Sequence, residues 1–277
     1  MPRTVDHIAV VLPAFNEEKD LPQLLQRLGA SLEKLRRPYH IVVVDDGSAD
    51  RTAAIAADAA RTMPVHLVCH PRNMGLGRAI QTGLTEARKF GGIVVTMDAD
   101  NSHDPAYISD MIAQFESGKD IDLVICSRYQ RGSKIMGLNS FRRMLSYGCY
   151  MTMKTLLPYR NVRDYSTGFR AYDAAIIDRL VMRFGERLVE QSGFACMLEL
   201  IAKLRTVGAK VVEIPYTLRY DQKQGVSKLR VMRTLKQYFH VVRQFAWKPV
   251  EHTVPTVAAE PASPAKGHRP VLQAARP

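Results

Sequence analysis

Short apolar runs alternate with longer amphipathic stretches between residues 7 and 129. Runs rich in Val, Ile and Leu have the length of buried strands, and they occupy residues 8–12, 41–44, 65–69, 93–97 and 122–126. Between these runs, apolar residues recur at helical spacing, as the leucines between residues 20 and 29 do. This alternation predicts right-handed crossovers and a Rossmann-like α/β fold, with an open, mostly parallel sheet flanked by helices.

The pattern changes after residue 131. Residues 136–158 are apolar on more than one face and have basic neighbours, which fits a helix in a membrane interface and equally fits an ordinary packing helix. Apolar residues again recur at helical spacing over 174–182, 194–207 and 231–247, which predicts helices there. The pattern over 210–220 predicts an extended segment. The last helix is amphipathic and basic, so we expect it to rest on a membrane or on the protein. Its apolar residues are Met232, Leu235, Phe239, Val242 and Phe245.

These patterns divide the chain into three parts. Residues 1–230 form the predicted α/β domain, and 231–248 form the C-terminal amphipathic helix. Residues 249–277 are rich in Pro, Ala, Glu and Lys without periodicity, which predicts a disordered tail. With 277 residues and 46% hydrophobic composition, the chain can bury one large core.

Composition narrows the classes of partner and compartment. A net charge of +12 attracts anions such as nucleic acid, acidic membrane or phosphorylated small molecules. No nucleic-acid-binding motif appears, so we expect no nucleic acid partner. The four cysteines lack metal-binding spacing, which indicates free thiols in a reducing compartment. We find no export signal and no apolar window of spanning length, so we expect a cytoplasmic protein.

Two of the predicted strands end in paired acids. Asp98 and Asp100 follow the run at 93–97, and Asp45 and Asp46 follow the run at 41–44. Ligands of open α/β sheets bind at the carboxyl ends of the strands. The i, i+2 spacing can turn two carboxylates toward one ion, and such oxygen ligands suit Mg²⁺ or Mn²⁺. An Asp-x-Asp pair also occurs in ordinary turns and caps.

Two common nucleotide-binding motifs are absent from the sequence, which restricts the way in which a nucleotide would bind. There is no Gly-rich P-loop followed by Lys and Ser or Thr, and Gly75-Leu76-Gly77 lacks the third glycine of a dinucleotide fingerprint. Five segments in order resemble glycosyltransferase family 2 of the GT-A fold, most closely its dolichol-phosphate or polyprenol-phosphate mannosyltransferase branch. The resemblance covers residues 8 to 228, and the segments are PAFNE at 13–17, VDDGS at 44–48, NMGLG at 73–77, MDAD at 97–100 and DYSTGFR at 164–170.

The resemblance implies a donor site for a nucleotide-sugar, GDP-mannose or UDP-glucose. The implied nucleotide-binding residues are Pro13, Phe15, Asn16, Glu17, Asp45, Asp46, Ser48, Gly75, Arg78, Asp98, Ala99 and Asp100. Asp98 and Asp100 would also bind Mg²⁺ or Mn²⁺, with Ser102 as a further ligand through its hydroxyl or a water. His103 is either a metal neighbour or a residue at the start of a helix.

The resemblance also implies a polyprenyl phosphate acceptor positioned by cations. Arg128 and Arg170 lie inside matching motifs, and Lys228 is a further candidate in a loop where Val226 departs from the acidic or polar residue common in the family. Arg131 and Arg163 fit solvated surface charges equally well. Asp164 would orient Arg170 or the acceptor. Glu199 matches an acid near the sugar in relatives, and a buried acid paired with an arginine is the competing interpretation.

The implied reaction is an inverting, metal-dependent hexosyl transfer to polyprenyl or dolichyl phosphate at the cytoplasmic face of a membrane. Attachment would come from peripheral membrane contact or from a separate membrane subunit. One alternative is a saccharide or other non-lipid acceptor, which would need Asp164 or Glu199 as general base. Another is a sugar-nucleotide sensor without catalysis.

Overall fold

The computed structural model describes residues 4–137, 140–219, 221, 231–246 and 248–249, without the side chains of 140–146, 149, 231 and 233. Lys228 with its loop, and the predicted tail beyond Pro249, lie outside the described residues.

Strands and helices alternate through most of the described chain. The strands are β1 (Ile8–Ala14), β2 (Tyr39–Asp45), β3 (Val65–Cys69), β4 (Ile93–Thr96), β5 (Leu123–Ser127), β6 (Lys134–Met136), β7 (Arg170–Asp173), β8 (Val211–Pro215) and β9 (Thr217–Arg219). The helices are α1 (Leu21–Glu33), α2 (Thr52–Ala59), α3 (Leu76–Ala87), α4 (Tyr107–Glu116), α5 (Ser140–Leu156), α6 (Ala174–Phe184), α7 (Ala195–Thr206) and α8 (Val231–Phe245).

Seven strands form one sheet in the order β3-β2-β1-β4-β7-β5-β8, and β6 pairs with β9 in a second, two-stranded sheet. All neighbours in the large sheet are parallel except β7, which runs antiparallel to both β4 and β5. The predicted open, mostly parallel α/β fold is therefore confirmed.

The strand order reverses between β1 and β4. The chain moves outward from β1 to β2 and β3, then returns to place β4 on the other side of β1. In register, Ala14 lies opposite Asp45, and Val11 lies opposite Thr96. The carboxyl ends of β1, β2 and β4 therefore meet at a topological switch point, where α/β sheets bind ligands.

Both faces of the sheet are covered. Alternate residues of β1 point to opposite sides, so that Ala9 and Val11 belong to one apolar core, whereas Ile8, Val10 and Leu12 belong to the other. The first core includes α3, α6, α7 and α8, and the second includes α1 and α4. Burial on both faces explains why the strands read as continuous apolar runs rather than as alternating patterns.

The sequence pattern did not predict two of the strands, β6 and β7. β7 has the sequence RAYD, which lacks a Val or Ile run, and its place between β4 and β5 supplies the long-range hydrogen bonds that make it a strand. β6 holds Met136, where the sequence pattern predicts the start of a helix. Helix α5 begins at Ser140 instead.

Helix α8 has two apolar faces rather than the single predicted one. Val242 and Phe245 are buried as part of the first core, together with Tyr238 and Val241. Met232, Leu235 and Phe239, which the periodicity predicts on the same face, are 69%, 38% and 72% exposed. The helix packs on the protein along one side and leaves an apolar strip on another.

A histidine cluster lies at the opposite end of the sheet from the switch point. His7 Nε2 and His40 Nδ1 are 2.9 Å apart, and the His40 ring stacks on Phe90 with centroids 4.0 Å apart. Burial and the charge of His40 lower the pKa of His7. Burial and the charge of His66 lower the pKa of His40.

We expect this cluster to make the fold sensitive to acid. Below about pH 6.5 the unfolded chain binds protons that the folded histidines resist, so the free energy of unfolding falls as the pH falls. The His40→Phe variant, which keeps a ring on Phe90, should lose less stability than the wild type between about pH 7 and pH 5.5. Thermal melts across this range test it, with His240→Gln at an exposed position of α8 as the control. Equal acid sensitivity of His40→Phe and the wild type would contradict the prediction.

Candidate active site

Asp98 and Asp100 lie in the turn that follows β4. Asn101 adopts a left-handed conformation with φ of 59°, which asparagine tolerates better than most residues, and this tightens the turn. The Ser102 N–H and hydroxyl donate to Asp100 Oδ1 at 3.1 and 2.5 Å, so Ser102 orients this carboxylate. The side chain of Asp98 is 33% exposed, whereas Asp100 is 7% exposed. One carboxylate therefore faces outward while the other is held within the turn.

His103 supports the same turn. Its Nδ1 accepts the Asp98 backbone N–H at 3.1 Å, which assigns the proton of the neutral ring to Nε2, 4.0 Å from Asp98 Oδ2. The ring stacks on Phe169 at 5.0 Å between centroids and is buried. His103 thus joins the acidic turn to the segment that follows Asp164.

The donor set of this turn fits a hard divalent cation that arrives with its own ligands. Within the described residues there is no group of three or more His, Cys, Asp or Glu arranged to hold a metal. Mg²⁺ commonly takes only one or two protein carboxylates, with waters and substrate phosphates completing its coordination. Asp98 and Asp100 would hold such a cation, and the Ser102 hydroxyl is engaged with Asp100.

The loops after β1 and β2 hold each other. Asn16, with φ of 51°, donates its N–H to Ser48 Oγ at 2.9 Å, and its Oδ1 accepts from Ala49 N at 2.8 Å. The Glu17 N–H donates to Thr52 Oγ1 at 2.8 Å. The structure thus brings together Asn16, Glu17 and Ser48, with Pro13 and Phe15 half-buried beside them in sequence.

The paired acids after β2 have different environments. The Asp46 carboxylate accepts from the N–H groups of Met74 and Gly75 at 2.9 and 2.8 Å, and His70 lies at 2.7 Å, so it braces the loop after β3. Asp45 Oδ1 is buried without a hydrogen-bond partner. A buried acceptor of this kind suits an N–H or O–H group of a ligand. Asp45 is therefore the acid suited to the expected ligand contact. Asp46 instead holds the loop after β3 in place.

Gly75 and Gly77 permit close contact with a segment that the sequence analysis missed. Gly75 has φ of 93°, and a Cβ there would lie 2.4 Å from Ser192 O. A Cβ on Gly77 would lie 1.8 Å from Gln191 O. A cavity of about 760 Å³ opens between the loop of residues 72–78, including Arg78, and residues 186–192. No motif marked residues 186–192, because their role depends on the approach of two glycines that are distant in sequence.

Arg128 and Asp164 form a bidentate ion pair at the carboxyl end of β5. Arg128 Nε and Nη2 donate to the two oxygens of Asp164 at 2.7 Å each, and Nη2 also donates to Ser166 Oγ at 2.6 Å. Burial opposes ionisation of Asp164, but Arg128 holds the pKa of Asp164 below its usual value. Burial likewise opposes the charge of Arg128, and Asp164 outweighs it, so the pKa of Arg128 is raised. Asp164 therefore orients Arg128, whereas Arg170 donates to the carbonyls of Met197 and Tyr165. Orientation of the acceptor by Asp164 stays a prediction.

Two predicted site residues belong to the core instead. Arg170 is fully buried, and it donates to the carbonyls of Met197 and Tyr165 at 2.9 and 3.0 Å, so it does not face a ligand. Glu199 is also fully buried, and its partner is Lys203 at 2.6 Å rather than an arginine. A buried charge needs partners of this kind. With their charged groups bound inside the core, neither Arg170 nor Glu199 reaches the surface.

The exposed cations cluster beyond the ion pair. Arg163 Nη1 donates to Gln130 Oε1 at 3.0 Å, which brings the loop before Asp164 to the loop after Arg128. Arg131, Lys134 and Arg163 are exposed there. Ala99 is buried between the two acids of the turn.

This fold and site define a Rossmann-like α/β protein with an acidic turn at its switch point. Residues 9–181 match the model of glycosyl transferase family 2. The chain belongs to glycosyltransferase family 2, and the predicted family is confirmed.

Curated relatives agree with this assignment. The chain is 31% identical over 242 residues to a dolichol-phosphate mannosyltransferase of Pyrococcus furiosus, covering 87% of this chain and 64% of that protein's length. It is 30% identical to a polyprenol monophosphomannose synthase of Mycolicibacterium smegmatis over 82% of each chain. A 28% identical relative from Proteus mirabilis is an undecaprenyl-phosphate 4-deoxy-4-formamido-L-arabinose transferase, with 89% of this chain and 70% of the relative covered.

Solved structures support the fold. Glucosyl-3-phosphoglycerate synthase from Mycobacterium tuberculosis, in complex with Mn²⁺, UDP and glucosyl-3-phosphoglycerate, superposes with a TM-score of 0.62 at 20% identity. The match covers 88% of this chain and 81% of the other. The predicted GT-A fold is thus confirmed. Among the described residues, no helix is both long and apolar enough for a membrane span.

Gly168 offers a test of the acidic turn, because a Cβ at this position would lie 2.8 Å from Asp98 Oδ1. We expect Gly168→Ala to displace Asp98 and to weaken binding of Mn²⁺ with GDP or UDP by about tenfold, the cost of one misplaced ligand. Calorimetric titration measures this change. Gly148→Ala in α5, where the added methyl meets nothing within 4 Å, is the matched control. Equal affinities of the two variants would contradict the placement of Asp98 in the site.

Proposed function

We propose that the protein is an inverting, metal-dependent hexosyltransferase that moves mannose or glucose from GDP-mannose or UDP-glucose to a polyprenyl or dolichyl phosphate at the cytoplasmic face of a membrane. The observation that carries the proposal is the acidic turn of Asp98 and Asp100 at the switch point, joined through residues 164–168 to the Arg128–Asp164 pair. The named activities of the Pyrococcus and Mycolicibacterium relatives support this choice of reaction.

The donor would bind across the loops that follow β1, β2 and β4. Asp45 Oδ1 offers an unpartnered acceptor for an N–H or O–H group of the nucleoside. Asp98 and Asp100 would face its diphosphate. When bound, Mg²⁺ or Mn²⁺ would neutralise the negative charge that develops on the departing diphosphate. Asp98 and Asp100 would hold that cation, and Ser102 would keep Asp100 oriented.

The acceptor side favours a nucleophile that is already charged. Asp164 and Glu199 are the candidate general bases, and both are fully buried with partners on both carboxylate oxygens. A phosphate monoester with a second pKa near ~6 is mostly a dianion at neutral pH and needs no base. Its oxygen would attack the anomeric carbon as the bond to the diphosphate breaks, and this single displacement inverts the configuration.

Cations would position the acceptor phosphate. Arg128 is held rigidly by Asp164, and its side chain is 12% exposed. Arg131, Lys134 and Arg163 provide exposed positive charge around it. A guanidinium that is fixed before binding loses little freedom when it meets a phosphate, which favours Arg128 as the residue that sets the orientation.

Transfer assays test the reaction and its acceptor. We expect radiolabelled hexose to move from GDP-mannose or UDP-glucose to polyprenyl phosphate, but not to phosphate-free polyprenol or to a saccharide. Asp100→Asn should lower kcat by roughly a hundredfold or more, because it removes charge from the proposed cation site. Asp58→Asn at an exposed position of α2 serves as the control. The absence of transfer from either donor, with and without Mn²⁺, would overturn the proposal.

The apolar strip of α8 supports peripheral contact with the membrane. Met232, Leu235 and Phe239 are exposed on a helix whose other side is packed in the core. Lys236 and Arg243 on the same helix are also exposed, and they can meet anionic headgroups. Helix α5 adds the exposed side chains of Tyr147, Met151 and Leu156. Apolar side chains beside basic ones are typical of helices that lie in a membrane interface.

Vesicle binding tests this contact. The triple variant Met232→Ser, Leu235→Ser, Phe239→Ser should bind vesicles of phosphatidylglycerol and phosphatidylcholine about tenfold to a hundredfold more weakly, since three apolar side chains no longer enter the interface. Co-sedimentation measures the partition. Met182→Ser, which alters a 54% exposed methionine of α6, is the control. Unchanged partition of the triple variant would contradict a membrane role for α8.

A further inference from the structure

Residues 186–192, which we term the strap, cross from α6 toward α7 and lie against α3. Gln81 of α3 binds the strap at two points, because its Nε2 donates to Glu186 O at 3.0 Å and its Oε1 accepts from Val189 N at 3.0 Å. Further along, the Gly77 N–H donates to Ser192 O at 3.3 Å. The strap is thus tied to α3, the helix that follows the loop of residues 72–78.

A buried ion pair on α7 holds the strap from the other side. Lys203 Nζ lies 2.6 Å from Glu199 Oε1, and it donates to the carbonyls of Arg187 and Leu188 at 2.5 and 3.2 Å. Glu199 accepts from the backbone N–H groups of Glu190 and Gln191 at 3.0 and 2.9 Å. The two side chains together therefore bind four backbone groups of the strap.

Stability alone is a weak reason for this arrangement. Glu199 and Lys203 are 0% and 1% exposed, and the desolvation of two charges offsets much of their attraction. A buried ion pair can often be replaced by apolar residues of similar volume without loss of stability. Apolar residues cannot form hydrogen bonds with the carbonyl and N–H groups of the strap. The ion pair therefore determines the conformation of the strap.

The strap forms one wall of the cavity of about 760 Å³, and the loop of residues 72–78 forms the other. The loop is held at its far side by Asp46 through Met74 N and Gly75 N. Arg72, Arg78 and Arg187 line the cavity together with Glu186 and Glu190. Arg187 pairs with Glu190 at 2.9 Å, so Arg72 and Arg78 on the opposite wall are the charges that favour an anionic ligand. The position of the strap therefore sets the width of this cavity.

We propose that Glu199 and Lys203 are positioning residues for the donor, which act through the strap to keep this cavity shaped for a nucleoside diphosphate. The inference rests on the proposed function for the identity of the ligand. It replaces the role of Glu199 as an acid near the sugar with an indirect role, because neither of its oxygens is available to a ligand while the strap is bound.

The double variant Glu199→Leu, Lys203→Met separates positioning from stability. It removes the desolvation cost of two buried charges but leaves four backbone groups of the strap without partners, so we expect it to fold with a melting temperature near or below that of the wild type. It should bind GDP or UDP with Mn²⁺ about tenfold more weakly or worse, because the charge-assisted bonds to the strap are lost. KM for the sugar nucleotide should rise by the same factor, with a smaller change in kcat. Thr206→Val removes the hydroxyl bond of another buried α7 residue, to Lys203 O, and should leave affinity within about twofold.

Amide hydrogen exchange provides a readout that needs no ligand. Residues 187–191 should exchange faster in the double variant than in the wild type or in Thr206→Val, since Glu190 N and Gln191 N lose their acceptor. A stable double variant with wild-type exchange or wild-type nucleotide affinity would overturn the inference. If the wild type binds neither GDP nor UDP, the proposed function fails, and exchange alone then decides whether the pair positions the strap.

Should the double variant fail to fold, Lys203→Met and Lys203→Arg carry the same test. Lys203→Arg keeps the cation and should retain most of the affinity for GDP or UDP. Lys203→Met leaves Glu199 without its partner and should reduce the affinity by tenfold or more. Equal affinities of these two variants would overturn the inference.

Discussion

Once the strands of a parallel sheet have ended, the backbone N–H groups at its rim need hydrogen-bond acceptors. The loops of the candidate site are held by side chains that supply them. Carboxylates meet this need in several loops of the site, whereas the hydroxyls of Ser48 and Thr52 meet it in the loop after β1. Asp46 binds the loop after β3, Asp100 binds its own turn, and Asp164 accepts from the N–H groups of Arg128 and Thr167. Buried donors are costly when unpaired, so these acids fix the loops before any ligand arrives.

The same need for acceptors limits which acids remain available for chemistry. Glu213 on β8 accepts from Arg163 N and Asp164 N, and burial raises the pKa of this residue, with Asp164 adding to the effect. Asp164 in turn orients Arg128. Acids and loops therefore form a connected support behind the cationic side of the site. The outward-facing Asp98 and the unpartnered Asp45 Oδ1 are the acidic atoms best placed to meet a ligand.

Much of the fold could be predicted from the sequence because buried parallel strands carry a strong local signal. The runs that became β1 to β5 were recognised by their Val and Ile content, and the acids that follow β2 and β4 were recognised by their position. β7 could not be recognised, because its pairing with β4 and β5 depends on residues far away in the chain. For α8, periodicity identified an amphipathic helix but could not divide its apolar residues between the core and the surface.

The roles of individual acids were harder to predict, because a carboxylate that accepts backbone N–H groups and one that meets a ligand look the same in sequence. Asp45 and Asp46 are neighbours, yet Asp46 braces a loop while one oxygen of Asp45 has no partner. Asp164 and Glu199 stand in motif-like contexts, and both bind backbone groups and cations within the protein. Asp164 and Glu199 both hold backbone segments through these hydrogen bonds. Neither could take a proton from the attacking substrate without weakening those bonds. This arrangement supports the proposed phosphate acceptor, which carries its own negative charge and would be met by Arg128 and its neighbouring cations.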